Sequence, residues 1–184
     1  MKIRLIEIAG ISSALEALRL PHGLPARSES TNKMDITYDD STDRYTIKEK
    51  QKIVIDPADL ELMERLVNAG PEHAKVTRGI IAYMEIIAPI YWWCEMETYT
   101  VGHQRLCSES TMHIACKGLT GLELQRAKAE IPMGMEMKKV DYFSYQCLRN
   151  IYRQRQNHRL QEWKDFCQFI KEGLPFPDLI TMGL

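Results

Sequence analysis

The run IIAYMEIIAPIYWWCEMETY, residues 80–99, decides how this chain folds. Its first eight residues, Ile80–Ile87, are almost continuously apolar, which favours a buried central strand, although a buried helix shows the same pattern. The proline that follows suits the first turn of a helix, because its ring fixes φ and it has no N–H to satisfy. The run therefore predicts a buried strand, then a helix over Pro89–Tyr99 that packs on it through Trp92 and Trp93.

Length and composition describe an ordinary globular protein. The chain has 184 residues, of which 45% are hydrophobic and 27% charged, so we expect a single domain over residues 1–184. The net charge of −1 provides no field that would attract nucleic acid or an anionic membrane. No apolar run is long enough to span a bilayer, and the amino-terminal segment lacks the features of a secretory signal. The expected location is the cytoplasm.

The first third of the chain predicts two strands, one helix and a long loop. Residues 2–8 alternate between polar and apolar, which is typical of a half-buried strand, and Ser12 and Ser13 are candidates to cap a short helix. Residues 26–43 are rich in Ser, Thr, Asn and Asp, so we predict a solvated, flexible loop or a mobile flap there. The segment Tyr45–Ile55 again reads as a strand.

The remainder of the chain is mainly helical by pattern. Asp56 and Pro57 begin a helix, and Leu122–Glu130 predicts a short amphipathic one. From Val140 onward, apolar residues recur at helical spacing up to Gly173, which predicts one long helix or two stacked helices. Strands and helices do not alternate regularly, so the expected fold class is α+β.

Five cysteines occur, and no two form a C-x-x-C pair. An odd number of cysteines without a secretory signal favours reduced, buried and inert thiols over a disulfide framework. Zinc bound by the thiols and imidazoles of one segment is the weaker alternative, because their spacing matches no tight ligand pair; these residues are His103, Cys107, His113 and Cys116. We therefore expect no metal site.

The chemistry of this chain must come from scattered side chains, since no phosphate-loop, dinucleotide, nucleophile-elbow or zinc-protease motif is present. Three polar patches qualify, at Glu72-His73, at Arg105–His113 and at Arg153–Glu162. The first patch has a simpler interpretation as a helix cap, and the arginines of the third are compatible with a solvated helix face. Together, arginine forks and hydroxyl groups are what recognition of a phosphate requires, so the patches predict convergence on an anionic ligand.

Four short motifs in these regions resemble flavin-dependent thymidylate synthases of the ThyX type. That family carries an E-H pair, then A-P-I-F, then R-H-R-x-x-S-x-N-E-x-S-x-R-Y, and finally a late helix containing H-A-Q-W-E. The matching stretches are Glu72-His73, Ala88-Pro89-Ile90-Tyr91, Glu109-Ser110-Thr111-Met112-His113 and His158-Arg159-Leu160-Gln161-Glu162. The resemblance covers roughly residues 70–165 and rests on order and spacing. It implies an antiparallel sheet packed with long helices.

The resemblance also implies ligand-binding residues, without assigning a catalytic one. Contacts to FAD would come from His73, His103, Arg105 and His158, and contacts to dUMP from Glu109, Ser110, Arg153 and Arg155. The family's flavin-binding Arg-His-Arg falls on Thr100-Val101-Gly102 when counted without a gap, and a small gap brings His103 and Arg105 into its place. The family's Arg and Tyr after the motif serine correspond to Met112 and His113.

The activity implied by the resemblance is methylation of dUMP to dTMP. NADPH would reduce FAD, methylenetetrahydrofolate would supply the methylene unit, and the flavin hydride would complete the methyl group. Family members are tetramers with shared sites, so we expect a homotetramer, and we expect the helix carrying Trp92 and Trp93 to leave apolar surface for a partner. The missing triplet favours an alternative, a non-catalytic nucleotide-binding or interaction protein on the same fold.

Overall fold

The strand and helix predicted from residues 80–99 are both present. The computed structural model describes residues 1–24, 29–39 and 44–183, and in it strand β4 spans Ile81–Pro89 and helix α4 spans Ile90–Met96. Pro89 is the last extended residue (φ −62°, ψ 152°), so the helix begins one residue later than expected, and it ends at Met96 instead of Tyr99. Trp92 and Trp93 are buried against the sheet. This confirms the central prediction.

Four strands form one antiparallel sheet around β4. The other three are β1 (Lys2–Ala9), β5 (His103–Ser108) and β6 (Glu136–Ser144). Their order across the sheet is β1-β4-β6-β5, and each neighbouring pair is antiparallel. The sheet therefore confirms the predicted α+β class, and β5 forms one of its edges.

Most of the helices contribute buried side chains to the core beside this sheet. The longer ones are α1 (Ile11–Arg19), α2 (Pro57–Asn68), α7 (Tyr145–Arg155) and α8 (Gln161–Gly173). The shorter ones are α3 (Val76–Gly79), α5 (Thr111–Ile114), α6 (Gly121–Ala129) and α9 (Asp178–Thr181), with a 3₁₀ turn at Leu20–His22. Within the described ranges, no helix has the length and apolar character needed to cross a membrane.

Aromatic side chains fill the space between the sheet and its helices. Trp92 packs against Trp163 of α8, with ring centroids 4.9 Å apart, and against Phe166, 5.6 Å away. Phe143 of β6 reaches the same cluster from the sheet, 5.9 Å from Phe166. All four side chains are fully buried. Because the indoles of α4 are covered within one chain, the expectation that this helix leaves apolar surface for a partner is wrong.

The corner between β1 and α1 depends on Gly10. Its φ of 80° lies in the left-handed region, which favours glycine, and a Cβ atom there would lie 2.0 Å from the carbonyl oxygen of Gly79. The helix begins directly after this glycine, at Ile11. Ser12 and Ser13 therefore lie inside its first turn, and the prediction that they cap it is wrong. Asp56, in contrast, caps α2 as predicted, accepting a hydrogen bond from the Ala58 amide at 2.8 Å.

A strand replaces much of the predicted loop over residues 26–43. Strand β2 (Glu29–Asp39) pairs antiparallel with β3 (Arg44–Val54), the strand predicted as Tyr45–Ile55. The loop prediction is therefore wrong for residues 29–39, and the rest of that segment lies outside the described residues. The missed signal is the alternation of Met34, Ile36 and Tyr38 with polar residues.

The carboxy-terminal third contains two stacked helices, α7 and α8, which confirms one of the two predicted arrangements. The helical pattern was placed too early, however, because residues 140–144 belong to β6. The helix predicted over Leu122–Glu130 is present as α6, but none of its residues is buried and Leu122 is 71% exposed. Its amphipathic character therefore serves no core contact within the described chain.

Candidate functional site

Two of the four sequence motifs contact each other. The Tyr91 hydroxyl, from the Ala-Pro-Ile-Tyr motif in α4, donates a hydrogen bond to the Glu162 carboxylate at the start of α8. That bond, together with burial of the hydroxyl, raises the pKa of Tyr91. Residues 71 positions apart in sequence thus join α4 to α8.

His103, predicted to face the flavin, is held by protein groups at both ring nitrogens. Its Nδ1 lies 3.0 Å from the Tyr99 carbonyl oxygen, and its Nε2 lies 2.7 Å from Oδ2 of Asp141. The ring stacks on Phe143 at 4.4 Å with an angle of 2° between the planes. The side chains of His103 and Asp141 are 6% and 0% exposed, so this pair fixes the start of β5 against β6.

Arg105, the second residue predicted to bind FAD, forms an ion pair with Glu97. The same carboxylate oxygen, Oε1, accepts a hydrogen bond from Lys139 Nζ at 3.0 Å. Burial acts to raise the pKa of Glu97, but the hydrogen bonds from Lys139 and Arg105 outweigh it and hold that pKa below its usual value. Burial lowers the pKa of Lys139, whose ammonium group lies 4.3 Å from the centroid of the Trp93 ring.

Glu95 joins α4 to α7 and α8. Its Oε2 accepts hydrogen bonds from Arg155 Nη1 at 3.0 Å and from the indole N–H of Trp163 at 2.9 Å, and His158 Nε2 lies 3.8 Å away. Arg155 also donates to the Tyr99 hydroxyl at 2.7 Å, and its guanidinium lies 4.6 Å from the centroid of the Trp163 ring. Arg155 and His158, predicted for the substrate and the cofactor respectively, therefore lie together around Glu95.

Three further predicted residues lie nearer the surface. Glu109 is fixed to β6, since its carboxylate accepts a hydrogen bond from the Lys138 amide at 2.8 Å. Ser110 caps α5, with its hydroxyl oxygen accepting from the Met112 amide at 3.2 Å. Arg153 is exposed and donates to the side chain of Asn150 at 3.2 Å.

His73 lines a cavity of about 400 Å³ between α1 and the turn at residues 70–75. Its side chain is 54% exposed and lies 3.7 Å from the Glu72 carboxylate. Apolar residues of α1, among them Ala14, Ala17 and Leu18, form the opposite wall. A cavity of this size, mainly apolar with a few charged groups at its rim, is typical of sites for small organic ligands.

The predicted residues therefore divide among separate cavities of the single chain. His103 and Arg105 line a second cavity of about 280 Å³, together with Glu97 and Tyr99. Neither Ser110 nor Arg153 lines this cavity. Arg155 does not line it either, but it donates a hydrogen bond to the hydroxyl of Tyr99, which does. Glu97 also lines a third cavity, of about 210 Å³, on the side of Lys139.

The cysteines differ in exposure. Cys94 and Cys107 are exposed, so the expectation of buried thiols is wrong for these two, whereas Cys116, Cys147 and Cys167 are buried. Burial raises the pKa of Cys147 to about 12 and that of Cys167 to about 11. Among the residues that the structure describes, no three histidine, cysteine or acidic side chains come close enough to share a metal ion.

Sequence reasoning missed the acidic partners of the site. Each of three predicted site residues has an acidic partner: Arg155 pairs with Glu95, Arg105 with Glu97 and His103 with Asp141. A buried ammonium group, that of Lys139, also pairs with Glu97. A weak signal existed for Glu95 and Glu97, because these two acidic residues stand in a segment rich in aromatic side chains. Lys139 and Asp141 carried no such signal, since charged residues that alternate with apolar ones in a strand indicate its solvent face.

The fold is similar to that of known enzymes, although sequence comparison finds no match. No family model matches the chain, and neither does any curated protein. A structure of flavin-dependent thymidylate synthase ThyX from Helicobacter pylori, complexed with FAD and dUMP, superposes with a TM-score of 0.68 at 13% identity, covering 100% of both chains. A second structure of ThyX from H. pylori with FAD and dUMP gives a TM-score of 0.65 at 12% identity, covering 96% of this chain and 95% of the other. The chain therefore has the fold of the flavin-dependent thymidylate synthases.

Proposed function

We propose that this protein is a divergent flavin-dependent thymidylate synthase, which methylates dUMP to dTMP in the cytoplasm. The observation that carries the proposal is the match along the whole chain to an enzyme whose structure holds both FAD and dUMP. The contact between Tyr91 and Glu162 supports it, because two motifs selected from sequence meet in space. Under this proposal NADPH and methylenetetrahydrofolate are the remaining reactants.

The cavity beside His73 fits the flavin ring in size and chemistry. It is about 400 Å³ in volume, mainly apolar, and rimmed by His73, Glu72 and Lys75, so it offers both an apolar wall and groups that hydrogen-bond a heterocycle. When bound, FAD supplies the redox chemistry of the reaction. The chain itself would orient the ring between α1 and the turn at residues 70–75, and exclude water from its apolar side.

The cationic groups of the site are less available to bind the phosphates of FAD or dUMP, because most of them already have acidic partners. Arg105 and Lys139 are held by Glu97, and Arg155 is held by Glu95. A phosphate would have to compete with a carboxylate for each of these three cations. Arg153 and Ser110 are more accessible and remain the simplest proposed contacts to the dUMP phosphate, with Glu109 fixing the segment that carries Ser110.

We propose that several chains assemble to complete the site, most simply as a homotetramer. Large apolar side chains are exposed on the edge strand β5, at Leu106 (54%), and elsewhere on the chain, at Leu122 of α6 (71%) and at Met133 (52%). An apolar surface at an open sheet edge is a common place for subunits to associate. Association would also offer a way to bring residues from separate cavities together.

A second candidate is a protein that binds a nucleotide without catalysing the reaction. The observation that favours it is the pairing of Arg105 and Arg155 with Glu97 and Glu95, which neutralises two cations that the resemblance assigns to ligands. Such a protein would retain the fold and a weakened phosphate site. It would not require bound FAD.

The visible absorbance of the purified protein separates these candidates. We expect the protein, incubated with FAD and then desalted, to retain flavin with a perturbed spectrum, and dUMP to perturb that spectrum further. His73→Ala should weaken FAD retention without changing the unfolding midpoint, because the side chain is half exposed. The matched control is His113→Ala, another exposed histidine outside this cavity. A protein that binds dUMP but never retains flavin would support the second candidate instead.

A further inference from the structure

Five ionisable residues gather at the edge of the sheet, on the face that packs against the helices. Lys139 and Asp141 share one face of β6 with the buried Phe143. His103 and Arg105 of β5 lie directly opposite Phe143 and Asp141 in the antiparallel register, so their side chains point to the same face. Glu97 completes the group from the turn after α4. Charged groups are costly to bury, so such a cluster requires an explanation.

Hydrogen-bond geometry fixes the charge of the His103–Asp141 pair. The Tyr99 carbonyl only accepts, so Nδ1 of His103 must carry a proton. The second ring nitrogen faces a carboxylate oxygen at 2.7 Å, and that bond needs another proton between the two groups. Imidazolium with carboxylate, or imidazole with carboxylic acid, both give the pair no net charge.

The remaining three groups leave an excess positive charge. Arg105 and Lys139 each contribute one positive charge, and Glu97 contributes one negative charge, so this part of the cluster carries a net charge of +1. The Nε atom of Arg105 is also buried and has no hydrogen-bond partner among the residues that the structure describes. An unsatisfied buried donor beside excess positive charge is a place that an anion would stabilise.

Glu97 occupies the position that such an anion would take. Arg105 and Lys139 converge on one of its oxygens, Oε1, although its side chain is 50% exposed. Glu97 also lines the cavities on both sides, of about 280 and 210 Å³. A phosphate monoester offers three acceptor oxygens and about −1.5 to −2 charges, and a diphosphate offers four non-bridging oxygens, so either would give each cation its own oxygen and leave one for Arg105 Nε.

We propose that Arg105 and Lys139 form a site for a phosphate monoester or diphosphate, in which Glu97 serves as a built-in substitute anion until the ligand displaces it. Lys139 and Glu97 are new to this site, since neither belongs to a sequence motif. The proposal deepens the proposed function and rests on it for the identity of the ligand, either dUMP or the diphosphate of FAD. Both ligands offer the group that the site would bind, a phosphate between an arginine and a lysine.

The test is Glu97→Gln, with binding of inorganic phosphate measured by calorimetry at constant pH and ionic strength. Removing the competing carboxylate should tighten phosphate binding about fivefold, the upper range for a half-exposed ion pair. Adding Lys139→Met should abolish the gain. Glu85→Gln removes the same charge from another ion pair, 3.2 Å from Arg4, and should leave phosphate binding unchanged.

Unchanged or weaker phosphate binding by Glu97→Gln would overturn the proposal, as would an equal gain from Glu85→Gln. Titrations of the same variants with dUMP and with FAD identify the ligand, because the one whose phosphate uses the site should show the same gain. If phosphate binding tightens but neither ligand binds, the site stands and the proposed function fails. If dUMP or FAD binds and Glu97→Gln leaves phosphate binding unchanged, the proposed function stands and the site fails.

Discussion

Replacement of Gly10 by alanine tests the corner that sets α1 against the sheet. Two costs add at this position. The φ of 80° costs an L-residue about 1–2 kcal/mol. The new Cβ would also meet the Gly79 carbonyl oxygen at 2.0 Å, and relieving overlap with rigid backbone costs about 1–3 kcal/mol more. We therefore expect Gly10→Ala to lower the free energy of unfolding by about 2–5 kcal/mol, a large part of the stability of a typical domain.

Gly118→Ala is the matched control, since Gly118 has a φ of 79° and nothing within 4 Å of its would-be Cβ. It should cost only the conformational term, about 1–2 kcal/mol. Urea denaturation monitored by tryptophan fluorescence measures both variants, because the three indoles lie in or beside the core. Equal losses for the two variants would refute the argument, because they would mean that close approach of Gly10 to Gly79 contributes nothing.

The other predictions concern Glu95 and the cysteines. Glu95→Ala should destabilise the fold by about 1–3 kcal/mol, because the buried indole N–H of Trp163 loses its acceptor. The control, Glu61→Ala at an exposed position of α2, should change stability by less than about 0.5 kcal/mol, and similar losses in the two variants would contradict this role of Glu95. Iodoacetamide at pH 8 should modify the exposed Cys94 and Cys107. It should spare Cys147 and Cys167, because pKa values of about 12 and 11 keep these two residues as thiols. Rapid labelling of Cys147 in the folded protein, detected by mass spectrometry, would contradict this prediction. Burial of Cys147 favours its neutral thiol, so the pKa of this group is higher in the folded protein than in the unfolded chain. Its contribution to stability is therefore complete below the unfolded pKa and is lost as pH rises through the folded pKa. Chemical denaturation should show stability falling between about pH 9 and 12, and the fall should be smaller in Cys147→Ala.

The sequence predicts those elements whose apolar pattern is continuous. Ile81–Pro89 and the helix after it follow from a run of apolar residues and one proline, since both signals are local. Strand β6 was missed because its buried face carries Lys139 and Asp141 as well as Met137 and Phe143. Charged residues at core positions hide the period of two, and they are stabilised there by partners from β5 and from the turn after α4.

The candidate site was predictable in its cations and hydroxyls but not in its pairings. Arg105 and Arg155 could be selected by residue type and motif order. Their neutralisation by Glu97 and Glu95 could not, because the Arg155–Glu95 contact joins residues 60 positions apart and depends on how α4 meets α7. Sequence spacing encodes neighbours along a helix or strand, whereas a charge balance across elements follows from tertiary packing.

Turnover by the purified protein tests the proposed function most directly. The protein would be incubated with dUMP, FAD, NADPH and methylenetetrahydrofolate, and dTMP would be quantified by chromatography. We predict formation of dTMP that stops when any one of these components is omitted. Tight binding of FAD and dUMP without any dTMP, in a protein shown to be folded, would contradict a thymidylate synthase and leave a nucleotide-binding protein on the same fold.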